Sequence, residues 1–118
     1  MNTRRPQTAV RPPAALQSII ERALAENADS VELESVPEGL EVCWMAGNAG
    51  LGTVVSNEEG NRITRFIVRA AGLERHDKGV VTINVAGERC EISVEIYEHF
   101  GEWAYRLWLV PARKRRRT

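Results

Sequence analysis

Two amphipathic helices are predicted from the spacing of apolar residues along the chain. Over residues 14–26 these residues recur every three or four positions, which places them on one helical face: Leu16, Ile19, Ile20, Ala23 and Leu24. A second helix begins after Ser56, whose spacing to Glu59 is that of a capping box, and Gly72 is a C-terminal stop signal. Its apolar face consists of Ile63, Phe66, Ile67, Ala70 and Ala71.

Between these helices the apolar residues alternate with polar ones, which is the period of a half-buried strand. Val31 and Leu33 fit one strand. A second alternating run over 40–45 follows the turn signal Pro37-Glu38-Gly39, so the two strands form a predicted hairpin. The glycine-rich segment 47–52, spaced G-x-x-G-x-G, is interpreted as a flexible turn that ends the second strand.

Three further strands are predicted after the second helix, over 80–86, 89–97 and 102–110. In the middle one, apolar residues face one way and polar neighbours face the other, which is typical of an antiparallel sheet with a solvated face: Cys90, Ile92, Val94 and Ile96. The order α-β-β-α-β-β-β predicts a single α+β domain over 14–110, with two helices packed on one face of an antiparallel sheet.

The formal net charge of zero conceals a segregation of charge along the chain. All 16 acidic residues lie in 14–110 with 8 basic ones, which gives this body a formal charge of −8. The other basic residues lie in two predicted disordered arms, 1–13 and 111–118: Arg4, Arg5, Arg11, Arg113, Lys114, Arg115, Arg116 and Arg117. Such arms attract anionic partners. For the tail, contact with nucleic acid or anionic lipid and a purely solubilising role stay open alternatives.

Several classes of protein do not fit these features. No apolar run approaches the roughly 20 residues needed to span a bilayer, and the N-terminal arginines precede no apolar core of a secretory signal. Cys43 and Cys90 have no metal-ligand spacing, and we expect buried, reduced thiols in a cytoplasmic protein. We expect no cofactor and no metal.

Acidic and histidine side chains are the candidates for catalysis, and we favour a structural interpretation of both. Glu32, Glu34 and Glu41 could supply acid–base chemistry, but alternating glutamates are typical of a solvated sheet face. The pair His76-Asp77 lies in a charged linker without a nearby nucleophile. We therefore expect no catalytic residue.

Two groups are candidates for binding a partner. Arg62, Arg65 and Arg69 lie on the polar face of the second helix, a stripe that could bind phosphate or an acidic partner surface. A solvated face with pairing between Glu58 and Arg62 is the alternative, and we favour it. On the last strand, alternation places Trp103 and Tyr105 on one face and Trp108 with Arg106 on the other. One of these two faces must belong to the core, and core packing is favoured for two of the three aromatic residues. An aromatic residue that stays exposed is an efficient anchor for a protein partner.

Five segments resemble, in order, the N-terminal (PAS-like, non-ATPase) domain of type II secretion and type IV pilus assembly ATPases. N-A-D-S-V-E-L-E, residues 27–34, is similar to A-S-D-I-H-L-E in that family, and Gly47 stands where the family has an R-x-D-G turn. Residues 63–73 are similar to its I-K-x-x-A-G-L helix, Gly79 to the glycine of P-Q-D-G, and 100–107 to its closing G-E-x-x-V-x-R-L strand.

The positions that carry chemistry in that family differ in this chain. Glu32 replaces the histidine, Trp44 and Ala46 replace the arginine and aspartate, and no G-x-x-x-x-G-K-[ST] loop is present for the phosphates of ATP. The resemblance implies an accessory domain without the ATPase core, that is, a non-enzymatic protein–protein interaction or assembly module. Its partner would be a secretion or pilus ATPase or the inner-membrane platform. The alternative is a small nucleic-acid-binding protein acting through its basic terminal arms.

Overall fold

The computed structural model describes residues 10–109, which form two helices and six strands in the order α-β-β-β-α-β-β-β. The helices are α1 (Ala14–Ala25) and α2 (Asn57–Ala71). The strands are β1 (Ser30–Val36), β2 (Gly39–Ala46), β3 (Ala49–Val55), β4 (Lys78–Val85), β5 (Glu88–His99) and β6 (Glu102–Leu109). The predicted α+β class is confirmed. The predicted order α-β-β-α-β-β-β is wrong, because it omits β3.

The segment predicted as a flexible turn is mostly strand β3. Only Gly47 and Asn48 form the turn, and the φ of 64° at Gly47 fits the first central position of a type II′ hairpin. Gly50 lies opposite Met45 of β2, and a Cβ at Gly50 would come within 2.5 Å of the Met45 Sδ. The glycine therefore accommodates a side chain from the neighbouring strand, although glycine is depleted in strands generally.

All six strands form one antiparallel sheet in the order β3-β2-β1-β6-β5-β4. Two three-stranded meanders meet where β1 pairs with β6, with Val31 opposite Leu107 and Leu33 opposite Tyr105. This pairing brings residues from the two halves of the chain together at the centre of the sheet. Strands β3 and β4 are the two edges.

The core lies on one face of this sheet. Its largest fully buried side chains include Ile20, Leu33, Ile63, Ile67, Ile83 and Leu107. From α1, the Ile19 carbonyl accepts a hydrogen bond of 2.9 Å from the indole N–H of Trp44. From α2, Gly60 lies so close to β2 that an added Cβ would be 2.8 Å from the Cβ of Leu40. Since Leu40 and Trp44 share one face of β2, these contacts of the two helices fall on the apolar face.

The predicted ends of α2 are confirmed by their geometry. The Ser56 hydroxyl accepts a hydrogen bond of 3.1 Å from the backbone N–H of Glu59, and Gly72 has a left-handed φ of 71°. These two residues satisfy backbone groups that the helix ends leave unpaired.

The first described residues contact the sheet. The Val10 N–H donates to the Thr82 carbonyl at 2.9 Å, so Val10 bridges to Ile83 on the edge of β4, and Pro12 is buried. Residues 10–13 of the predicted arm thus lie against the domain. Residues 1–9 and 110–118, with the whole tail of Arg113, Lys114, Arg115, Arg116 and Arg117, lie outside the described residues.

Candidate functional site

The second face of the sheet carries polar and half-exposed side chains, and we call it the open face. Strand alternation places its residues opposite to the buried Val31 and Leu33. Five neighbouring strands contribute to this face, in the sheet order β2, β1, β6, β5 and β4. Its members include Glu32, Glu34, Glu41, Cys43, Lys78, Val80, Ser93, Glu95, Tyr97, Arg106 and Trp108.

Arg106 occupies the centre of the open face. Strand pairing places it directly between Glu32 on β1 and Glu95 on β5. Its Nε donates to the Glu32 carboxylate at 3.1 Å, and a terminal nitrogen lies 3.8 Å from the Glu95 carboxylate. The guanidinium also lies over two aromatic rings, 4.7 Å from the centroid of Tyr97 and 5.8 Å from that of Trp108. These five residues form the Arg106 cluster.

The tyrosine of this cluster stays neutral at physiological pH. Burial raises the pKa of the Tyr97 hydroxyl, and the Glu32 carboxylate raises it further, while the Arg106 guanidinium acts in the opposite direction. A protonated phenol both donates and accepts a hydrogen bond. The cluster therefore presents a cation, two carboxylates and one neutral hydroxyl within a single patch.

Trp108 borders a shallow depression beside the cluster. The indole is 43% exposed, and the depression has a volume of about 390 Å³ lined by Lys78, Val80, Ser93, Glu95 and Trp108 among others. The predicted placement of Trp108 with Arg106 on one face is confirmed by the register, in which Tyr105 faces the core opposite Leu33. The partner-binding role of the two residues stays a prediction.

A carboxylate–imidazole pair lies on the same side of the sheet. The His99 Nδ1 is 3.0 Å from the Glu34 carboxylate, and the exposed Phe100 ring lies 4.5 Å from the imidazole. The sequence predicts Glu34 on a solvated sheet face, but it does not predict the contact with His99, which lies 65 positions away. His76 and Asp77 are exposed, and the backbone carbonyl of Asp77 accepts a bond from Ile96.

The arginines of α2 lie away from the open face, because α2 contacts the apolar one. Arg62 bonds to Glu58 at 3.0 Å, which is the helix pair that the sequence predicts. Arg65 and Arg69 are exposed beside a separate shallow depression of about 260 Å³. The predicted partner-binding residues thus lie on two surfaces, α2 and the open face. Those on the open face belong to a cluster of contacting side chains from three strands.

Asp29, within N-A-D-S-V-E-L-E, has a structural role. Its carboxylate accepts a hydrogen bond of 2.8 Å from the backbone N–H of Gly47, and its own N–H donates to the Met45 carbonyl at 2.8 Å. Both contacts hold the β2–β3 turn against the start of β1. The segment is therefore a joint that also fixes the neighbouring hairpin.

Neither protein-family models nor curated proteins match this chain. The resemblance to secretion and pilus ATPases thus stays a prediction, and the site is interpreted from its own geometry. Within residues 10–109, histidine, cysteine and acidic side chains nowhere gather in a group of three that could hold a metal ion. No helix of that range has the length and apolar character needed to cross a membrane.

The two thiols differ in their surroundings. Cys90 is buried in the core, as predicted, but Cys43 is only half-buried on the open face, so the expectation of burial is wrong for it. Burial raises the pKa of the Cys43 thiol, and the carboxylates of Glu41, Glu32 and Glu34 raise it further. Cys43 is therefore a poor nucleophile at neutral pH.

Glu41→Gln is expected to lower the pKa of Cys43 and to speed its alkylation about two-fold at pH 8, because it removes one negative charge that opposes the thiolate. Mass spectrometry of the iodoacetamide-treated chain measures the rate at Cys43, with buried Cys90 as an internal reference. Glu38→Gln, in the exposed β1–β2 turn, is the matched control and leaves the rate unchanged. Equal rates in the two variants would contradict this assignment.

Proposed function

We propose that this chain is a non-enzymatic protein-binding module whose partner docks on the open face around the Arg106 cluster. The observation that carries the proposal is Trp108, which stands 43% exposed beside Arg106 near the middle of the sheet. Tryptophan and arginine are enriched among the residues that dominate binding energies, especially next to a pocket that a partner side chain can fill. The depression that Trp108 lines is such a pocket.

The rigidity of the site supports the same function. The Arg106 cluster is built on three neighbouring strands, β1, β6 and β5, whose pairing fixes the spacing of its side chains. In the proposed arrangement both helices cover the apolar face and leave the open face to the partner. A surface ordered before binding loses little conformational entropy when the partner arrives.

The charges of the open face indicate the chemistry of the partner. By strand alternation this face carries six carboxylates and three cations: Glu32, Glu34, Glu41, Glu91, Glu95, Glu102, Lys78, Arg89 and Arg106. The partner would place an apolar side chain in the depression and basic side chains near the glutamates. A secretion or pilus ATPase, or its inner-membrane platform, is the partner that the five similar segments favour, and the location would be the cytoplasm.

The experiment that tests this function compares Trp108→Ala with the wild-type chain. Cross-linking and mass spectrometry in the native host identify the partner, and calorimetry with the purified partner measures the affinity. We expect Trp108→Ala to bind about 30-fold more weakly, which corresponds to about 2 kcal/mol. The control is Trp103→Ala, because Trp103 is 60% exposed at the far end of β6 and lies outside the Arg106 cluster. Equal affinities of wild type and Trp108→Ala, or ATP turnover that an Arg106→Ala variant loses, would refute the proposal.

Nucleic-acid binding through the basic terminal arms is the alternative. It gains no support from the open face, whose carboxylates repel a phosphate backbone. Fluorescence anisotropy with a labelled DNA duplex distinguishes the two functions. Binding that falls steeply with salt and disappears on deletion of 111–118 would favour the alternative.

A further inference from the structure

Strand β3 is an edge strand that lacks the usual protection against pairing with another strand. Its sequence, A-G-L-G-T-V-V, contains no charged residue and no proline, and its pairing with β2 runs without a bulge. Six of its residues are exposed and the seventh is half-exposed. Edge strands normally carry lysine, proline, a bulge or a covering segment, since a bare edge recruits another strand.

The opposite edge of the sheet, β4, has such protection. Lys78 begins the strand, Val10 occupies part of its outer side through the bond to Thr82, and Gly79 lies beneath the end of α2. Among the described helices and strands, β3 alone has no charged side chain, in a chain where 27% of residues are charged. Its neutrality is therefore specific to this edge.

The free backbone groups of β3 can be assigned from the hairpin. A two-residue turn joins Ala46 to Ala49, so this pair exchanges hydrogen bonds and the bonded pairs then alternate. Gly50, Gly52 and Val54 consequently direct their N–H and C=O groups away from β2. The same alternation applied to β4 correctly places the Thr82 carbonyl on the outer side, where it accepts the bond from Val10.

We propose that β3 pairs in antiparallel orientation with β3 of a second copy of this chain, about a two-fold axis at Gly52. The two six-stranded sheets then become one continuous sheet. In this register Gly52 faces Gly52, Gly50 faces Val54 and Leu51 faces Thr53. Each residue whose backbone N–H and C=O point away from β2 thus faces another such residue, which gives about six interchain hydrogen bonds.

The side chains of β3 fit a second copy in this register. Val54, 46% exposed, meets Gly50 and the Met45 side chain that lies over it, so an apolar side chain faces another one. Leu51, 65% exposed, meets the β-branched Thr53. If the two-fold axis lay at Leu51 or Thr53 instead, only two hydrogen-bonded residue pairs would form between the copies, instead of three. Residues 14–110 carry a net negative charge, so two copies of this region repel each other. Because β3 carries no charged side chain, no like charges oppose each other where the two β3 strands pair. A symmetric contact of this kind closes as a dimer.

This inference does not depend on the proposed function, because β3 is at the edge of the sheet and the Arg106 cluster is at its centre. Sedimentation equilibrium of the full chain is expected to give twice the chain mass of 13.2 kDa. Val54→Pro is expected to weaken the dimer by about 100-fold or more, because proline removes an outward donor and places its ring against the second copy. The ladder with β2 is preserved, since the Val54 N–H takes no part in it.

The matched control is Val80→Pro, an exposed valine at the equivalent outward position of β4, and this variant stays dimeric. Circular dichroism and a thermal melt verify that both variants fold. A wild-type chain that is monomeric at about 100 μM, well above a typical specific dissociation constant, would overturn the proposal. So would a folded Val54→Pro chain that dimerises as the wild type does, or a monomer whose β3 binds an extended segment of another protein.

A cross-linking experiment tests the register without relying on proline. In a mixture of Leu51→Cys and Thr53→Cys chains, each new cysteine faces its counterpart at a non-hydrogen-bonded pair, close enough for a disulfide. Oxidised glutathione supplies the oxidant and is itself reduced. We expect a disulfide-linked dimer in the mixture and at least several-fold less of it in either variant alone. The wild-type chain is the control for any cross-linking through Cys43. Equal cross-linking in all four samples, or none, would overturn the proposed pairing.

Discussion

Trp44→Ala is expected to destabilise the domain by about 4 kcal/mol, in the range of large-to-small substitutions of buried aromatic residues. Trp44 is a buried residue of β2 whose indole N–H donates to the Ile19 carbonyl at 2.9 Å, and the Arg22 guanidinium lies 4.0 Å from the ring centroid. The substitution therefore removes buried apolar area, one hydrogen bond and one cation–π contact at the junction of α1 and the sheet. Urea unfolding monitored by circular dichroism gives the change in the free energy of unfolding.

Two further variants separate these contributions. Trp44→Phe keeps most of the apolar contact but loses the indole N–H, so we expect a loss of about 1–2 kcal/mol. Trp108→Ala removes the same side chain from the open face, where it is half-exposed, and is expected to cost less than about 1 kcal/mol. Equal losses of unfolding free energy for Trp44→Ala and Trp108→Ala would contradict the structure, in which Trp44 is buried and Trp108 is half-exposed.

Alternation predicted which side chains share a face with each of these two tryptophans, but it left open which face of β6 is buried. Leu40, Val42 and Trp44 share the inner face of β2, and Arg106 and Trp108 share the outer face of β6, as the period of two requires. The helix ends at Ser56 and Gly72 were equally predictable, because capping depends on residues within one turn.

Strand β3 could not be predicted in this way, because its glycines resemble those of a turn. Gly50 is explained by the neighbouring strand, because the Met45 side chain occupies the space that a Cβ at Gly50 would need. The partial exposure of Cys43 could not be predicted either. Cysteine is usually buried, and that preference outweighed the alternation which places Cys43 beside Glu41 on the open face.

The Arg106 cluster depends on contacts between distant parts of the chain. Glu32 and Arg106 are 74 positions apart and meet only because β6 pairs with β1 at the centre of the sheet. The sequence predicted that Trp108 and Arg106 share a face, but neither the acidic partners of Arg106 nor the bond between Glu34 and His99. Both follow from strand order, which local patterns do not determine.

Gly79→Ala is expected to destabilise the domain by about 3 kcal/mol, at the upper end of the usual cost of overpacking. A Cβ at this position would lie 1.9 Å from the carbonyl oxygen of Ala71, the last residue of α2. Because the obstacle is backbone, no side-chain rotation relieves it, and either α2 or β4 must move. Thermal unfolding is expected to show a midpoint lower by about 15 °C for a domain of this size.

Gly87→Ala is the matched control, because Gly87 also has a special backbone requirement but different surroundings. Its φ is 81° in the β4–β5 turn and an added Cβ meets nothing within 4 Å, so this variant loses only about 1 kcal/mol through left-handed strain. The difference between the two variants measures the contact between α2 and β4. That contact also supports the open face, since Lys78 and Val80, on either side of Gly79, line the depression beside Trp108. If Gly79→Ala lost no more stability than Gly87→Ala, α2 would not hold β4 in place, and the depression would lack the rigid wall that partner binding requires.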